Sequence, residues 1–404
     1  MIRVVKSFLG LLMAVTLGAS AAWSAGWPDP QSSAPEPAGP QRVPTDQLGA
    51  AIDRLGHLDF ATRTSAARLI RRTPGEQAVP TLLRAVAEHA DGYVRYRALV
   101  LLTGFNDSRT RGAMTESLTS ANDRLRTVAY SFFEHNPDPL MAPVLLEALD
   151  REQAEFVRPA LVRALAAHAT DPRVQQALIR DVGRGEDFFR GAVIEALGEY
   201  KAPFARQAIT AVAQLDGPLQ DDAAVALGRI GEKQSLEVLA GLQRTAPRVR
   251  QPSVAAAICL LNVNCPTHES YLVETLKFGD RNPGFQELLR GAAGGLGALV
   301  VNGRASAATA LLDVGIPSRD PTRAPIALAV ATVALRNTAL FLPVLEAHSD
   351  RSGAMTLMAE GFDMLEEDLD KERFFAFVRR TYWNASDGSG TKALMQALIR
   401  NLDF

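Results

Sequence analysis

Little in this sequence is suited to covalent or metal chemistry. It has two cysteines, six histidines and three tryptophans in 404 residues, with 6% aromatics overall. Two cysteines cannot build a disulfide framework or a thiolate zinc site, and His268 beside them adds one ligand where tetrahedral coordination needs four. Neither His-Glu-x-x-His nor Gly-x-Ser-x-Gly occurs, so we assign no metal, no cofactor and no catalytic residue. Basic charge is also lacking. Lys and Arg number 43 against 45 Asp and Glu, a net charge of −2, and this balance argues against a nucleic-acid partner. Alternating period-two stretches are missing, which excludes a sheet. The apolar run Phe8–Leu17 is shorter than the ~20 residues of an ordinary membrane span.

A repeat fills the space left by these absences. Arg63, Arg95, Arg126, Arg158 and Arg190 recur at intervals of 32, 31, 32 and 32 residues, each opening a stretch of small apolar side chains. A fixed period of this length marks a solenoid, whose units bury their apolar faces only by stacking. Each unit reads as two helices. Val79, Leu82, Leu83 and Val86 share one helical face; Val94, Ala98, Leu101 and Leu102 share another after a turn at Ala90-Asp91-Gly92. Pro80, Pro143 and Asp171-Pro172 mark starts of first helices. Pro159, Pro252 and Pro325 follow Arg158, Arg250 and Arg323 closely, and proline is tolerated only in the first turn of a helix. The ladder arginines therefore stand at helix N-termini.

A cation there opposes the helix dipole by up to ~1 kcal/mol. Acids precede each arginine, namely Asp59, Asp91, Asp123, Glu155 and Asp187. They can cap their own helix or accept bidentate hydrogen bonds from the arginine of an adjacent repeat, which makes the ladder inter-repeat glue. Gln220 interrupts it, and the interval from Arg250 to Arg290 stretches to 40 residues.

Tyr93-Val94-Arg95 with Ala98 and Leu102, Phe156-Val157-Arg158 with Leu165, and Ala223 through Gly231 resemble the Asp-x-x-Val-Arg-x-x-Ala-x-x-Ala-Leu-Gly-x-Ile-Gly pattern of HEAT repeats, in the short, phycobilisome-lyase-like form. The resemblance covers about residues 48–350. It implies an all-α fold, a right-handed superhelix of antiparallel helix pairs with the second helices lining a concave face. It says little of function, because the family spans scaffolds, lyase-type chaperones and adaptors. The paired His-Glu motifs of its iron-binding hydroxylase branch are missing.

Arg3 and Lys6, the apolar run and Ala19-Ser20-Ala21 have the three-part layout of a secretory signal, so residues 1–25 are expected to direct export to the periplasm or beyond. The proline-rich stretch 26–47 reads as a stiff spacer. Cleavage would leave 41 basic against 45 acidic residues and no stable membrane span. In an oxidising setting the short Cys259–Cys265 loop can close into a disulfide. His57, His89, His135 and His168 occupy repeat positions and read as turn residues. Arg290 to Gly297 lacks the strand that a phosphate loop requires and reads as a helix of small residues. The pattern fades after residue 350, and 351–404 is expected to form an irregular helical cap. Its Glu366, Glu367, Asp368 and Asp370 precede Phe374, Phe375 and Phe377, an acidic-aromatic patch that could dock. Positions one and five beyond the ladder arginine, lying about 40° apart on the helix wheel, give a candidate concave binding stripe of Arg68, Tyr96, Arg163 and Glu195. The expected function is an exported, non-enzymatic scaffold for a protein or peptide partner; the alternative is an assembly factor for a cofactor-bearing protein.

Overall fold

The computed structural model describes residues 39–365 and 368–404. The expected signal, the spacer up to residue 38, and Glu366 and Glu367 lie outside the described residues. Helices and short 3-10 turns are the only regular structure among the described residues. They run as antiparallel pairs: α1 (Thr45–Arg54) with α2 (Phe60–Arg71), α3 (Gly75–Glu88) with α4 (Gly92–Leu102), α5 (Thr110–Ser117) with α6 (Asp123–His135), and α7 (Ala142–Arg151) with α8 (Arg158–Ala167). Next come α9 (Pro172–Val182) with α10 (Asp187–Glu199), α11 (Arg206–Ala213) with α12 (Gln220–Ile230), and α13 (Leu236–Thr245) with α14 (Gln251–Leu260). Then α15 (Cys265–Arg281) pairs with α16 (Gln286–Val301), α17 (Ala305–Gly315) with α18 (Arg323–Arg336), and α19 (Thr338–Ala347) with α20 (Arg351–Met364). A last hairpin joins α21 (Asp368–Asn384) to α22 (Gly390–Asn401).

Local chemistry sets the boundaries. Asp59, Asp91 and Asp171 accept backbone N–H bonds as N-caps of α2, α4 and α9. Pro143, Pro159 and Pro252 each take the second position of a helix, where a missing N–H costs nothing. Pro80 differs from expectation: α3 begins at Gly75, so this proline lies inside the helix. Pairing continues to Met364, beyond the boundary expected at 350, because α20 packs along α18 as every second helix packs along the one before it.

The second helices form the inner layer. Their apolar residues are buried on most sides, as in α4, where Val94, Tyr96 and all of Ala98–Leu102 are buried. Close approach depends on glycine. A Cβ on Gly228 would lie 2.6 Å from Ala257 Cα, and one on Gly361 would lie 2.1 Å from the Ala327 carbonyl oxygen. The run from Arg290 to Gly297 lies within α16, with Gly295 facing Leu272 and Ala256, so its small residues admit neighbours and form no loop. Beyond α20 the chain turns back. Helix α21 crosses the concave side and packs on α4, α6, α18 and the 3-10 turn Thr103–Phe105, while α22 covers the end of the stack at α19 and α20.

Candidate functional site

The ladder arginines sit where expected, and most bond to partners that the sequence did not reveal. Arg95 Nε donates to the Val86 carbonyl at 2.8 Å, Arg190 Nε to Val182 at 3.0 Å, and Arg126 Nη1 to Ser120 at 2.7 Å. Arg63 donates to the carbonyls of His57 and Leu58, and Arg323 to those of Gly315, Ile316 and Ser318. Arg95, Arg190 and Arg323 thus close C-terminal carbonyls of the first helix in their own repeats, the negative end of that dipole, while Arg63 and Arg126 tie carbonyls of the turn that follows it, and these bonds offset the unfavourable position of the cation on its own helix. Where the ladder lapses, an amide does the same work. Gln220 Nε2 donates to Ala213 and Leu215, and Gln251 Nε2 to Gln243 and Ala246.

The expected acids divide. Asp123 and Asp187 pair with Arg126 and Arg190 of their own repeats, Asp59 and Asp91 serve as caps, and Glu155 is exposed. The inter-repeat partner of Arg126 is Glu152, held bidentately at 2.7 and 2.9 Å. Burial alone would raise the Glu152 carboxyl, but the guanidinium holds it below its ordinary value. Arg158 reaches the next repeat differently, its guanidinium lying 3.5 Å from the centre of the Phe189 ring.

Three of the four residues expected to form an open concave stripe are engaged within the chain. Arg68 pairs with Asp403, and the buried Tyr96 donates to Asp368. Arg163 lies between Glu134 and Glu199, at 3.1 and 2.9 Å. Glu195 remains exposed. The row extends to an alternating series of charges, Arg336–Glu134–Arg163–Glu199–Arg229, in which α18 reaches across the bowl to α6. Tyr200 also donates to Glu134, at 3.2 Å.

Cys259 and Cys265 are joined as a disulfide across the α14–α15 turn. The histidines act as turn residues with a common grammar: Nδ1 of His57, His89 and His348 accepts the N–H of the aspartate two residues on, and that aspartate caps the next helix. His168 Nε2 accepts the Asp138 N–H, whereas His135 pairs with Asp370 of α21 at 2.7 Å. Among the described residues no cluster of three or more His, Cys, Asp or Glu is arranged to hold a metal, and no helix is long and apolar enough to cross a membrane.

One surface escaped the sequence reading. Large apolar side chains stand exposed at the turn between the two helices of a repeat, at Phe60 in the first repeat and then at Phe156, Phe188, Leu215, Val249 and Phe285 in five consecutive ones, with Phe156 at 85% exposure. The signal was available, since Phe156 and Phe188 both precede a ladder arginine by two residues.

The geometry defines an α-solenoid of stacked helix pairs. Residues 79–166 match the family model of HEAT repeats, so this segment of the solenoid carries HEAT repeats. No curated protein matches the sequence. Among solved structures, YibA of Escherichia coli is similar at 15% identity over 54% of this chain and 82% of its own, with a TM-score of 0.40. Importin beta is similar at 14% identity over 88% of this chain and 55% of its own, TM-score 0.40, so this chain spans about half its length. The CpcE–CpcF complex of phycocyanin lyase from Nostoc sp. PCC7120 is similar at 18% identity over 82% and 98%, TM-score 0.25.

Proposed function

We propose that this protein is an exported scaffold that binds a protein or peptide partner without catalysing a reaction, and that the edge formed by the intra-repeat turns carries the contact. The supporting observation is the row of exposed Phe60, Phe156, Phe188, Leu215, Val249 and Phe285. Scattered surface apolar residues need no explanation, but Phe156, Phe188, Leu215, Val249 and Phe285 recur at the same turn of five consecutive repeats, the kind of surface that marks an interaction site. The concave stripe of Arg68, Tyr96, Arg163 and Glu195 contributes less to an open surface, since three of the four already hold internal partners. Export rests on Arg3, Lys6, the run Phe8–Leu17 and the small residues Ala19 and Ala21.

The test uses the full chain expressed with its own N-terminus. Export is read from the mass of the mature protein, which should begin shortly after Ala21; retention of Met1 in the cytoplasmic fraction would end that part of the reading. Partners cross-linked in the exported fraction should be lost from a Phe156→Asp, Phe188→Asp double variant whose helicity and melting are unchanged. Equal capture by that variant would remove the turn edge as the contact surface.

A further inference from the structure

The concave wall of the first repeats is rich in cations. Arg68 and Arg71 of α2, Arg72 at its C-cap and Arg97 of α4 face inwards, joined by His135 from α6 and Arg336 from α18. Every one of these meets the last hairpin or the residues that follow it. Arg71 binds Glu372 at 2.7 Å, and its guanidinium lies over the Phe375 ring. Arg97 binds Asp368 at 3.1 Å, His135 and Arg336 bind Asp370 at 2.7 and 3.4 Å, and Arg72 reaches the Phe404 carbonyl. Asp368 and Glu372 share one face of α21, turned to α2 and α4, while Asp370 points to the opposite wall. Gly104 makes room, because a Cβ there would lie 2.5 Å from Glu372 Oε1.

This contact is built to hold and also to let go. Its charges are buried, and burial pushes the Arg97 and Arg379 guanidinium groups down and the Asp368 carboxyl up. Buried ion pairs recover little more than their desolvation cost, so the charges of this interface contribute more to its specificity than to its strength. Its seam with α5, α6 and α18 leaves a cavity of about 810 Å³ bordered by Arg111, Asn136 and Arg373. Leu369, Phe374, Val378 and Tyr382 of α21 are buried as well, so a helix that displaces it must bring apolar side chains along with its carboxylates.

We propose that the basic concave wall of α2, α4 and α6 is a binding site for an acidic, aromatic-bearing helix of a partner protein, and that α21 is its resident occupant, displaced when the partner binds. The site is separate from the turn edge and stands without it. The occupant on the page specifies the ligand: carboxylates at i, i+2 and i+4 followed by an aromatic pair, as in Asp368, Asp370, Glu372, Phe374 and Phe375.

The probe is a synthetic peptide of residues 366–384, with a control peptide carrying amides at the Asp368, Asp370 and Glu372 positions. It is offered to the full-length wild type and to a full-length Asp368→Asn, Asp370→Asn, Glu372→Gln variant. Hydrogen exchange in the variant should lose protection over 368–404 and keep it over 45–364. The acidic peptide should bind the variant at least tenfold more tightly than wild type, the affinity should fall with added salt, and the control should not bind. Adding Arg71→Ala and Arg97→Ala to the variant should abolish the gain. Release of the hairpin without a gain in peptide affinity, or equal binding of the control, would overturn the proposal. So would loss of protection throughout 45–364, which makes α21 part of the structural core, and so would retention of the hairpin without its carboxylates. A variant that dimerises by exchanging its hairpin would assign the site to a second copy instead.

Discussion

At the scale of single residues the arginine ladder shows how a misplaced charge is made useful. Arg126 fastens Ser120 in the turn between α5 and α6, Asp123 at the start of α6 and Glu152 in the next repeat. The Glu152 side chain is only 4% exposed, so Arg126→Ala leaves a buried carboxylate unpaired. We expect a loss of about 3 kcal/mol in urea denaturation, and a smaller loss when Glu152→Ala is added, since removing both partners leaves no orphan charge. Asp222 behaves in the opposite sense. Packing on one side, then the charges of Glu195 and Asp221, push its carboxyl up to about 6. A raised acid favours folding while protonated, and that contribution is lost as pH rises from about 4 through 6. Asp222→Asn should therefore raise the melting temperature at pH 7 and leave it unchanged at pH 4; the solvent-open side of this residue keeps the shift small.

At the scale of elements, close approach between second helices depends on a few missing side chains. In Gly361→Ala the new Cβ meets the Ala327 backbone, which cannot swing aside, so α20 must move from α18. We expect a loss on the order of 1–3 kcal/mol, with hydrogen-exchange protection falling first in α18 and α20. Helix α21 carries its own pH dependence. Burial alone would raise the Asp370 carboxyl, but the hydrogen bond from His135 and the charges of Arg336 and Arg373 hold it far below the ordinary range. A depressed acid contributes stability above its unfolded value near 4, and that contribution disappears as pH falls below it. Protection over 368–404 should thus drop below about pH 4 before that over 45–364, and Asp370→Asn should remove this difference. Simultaneous loss in both regions would contradict the assignment.

At the scale of the whole molecule, the period, the helix pairing and the helix starts were legible because they are local. Proline near a helix start, aspartate at a cap and apolar residues at three- and four-residue spacing act within one turn of chain. The ladder arginines could be placed for the same reason. Their partners could not, since Val86 is reached from Arg95 only after the helix pair has folded, and a backbone carbonyl leaves no mark in the side-chain pattern. The concave stripe shows the larger gap. Positions one and five beyond the arginine do face inwards, as the wheel predicts, but Arg68 and Tyr96 meet Asp403 and Asp368, more than 250 residues away in sequence. Sequence periodicity determined that the chain is a stack of helix pairs with these residues on the inner side. Only the tertiary structure decided that the stack curves far enough for Arg336 to meet Glu134, and that the last hairpin occupies the space between them. Curvature accumulates from small rotations at each repeat interface, set by contacts such as Gly228 on Ala257, and no single repeat contains that sum.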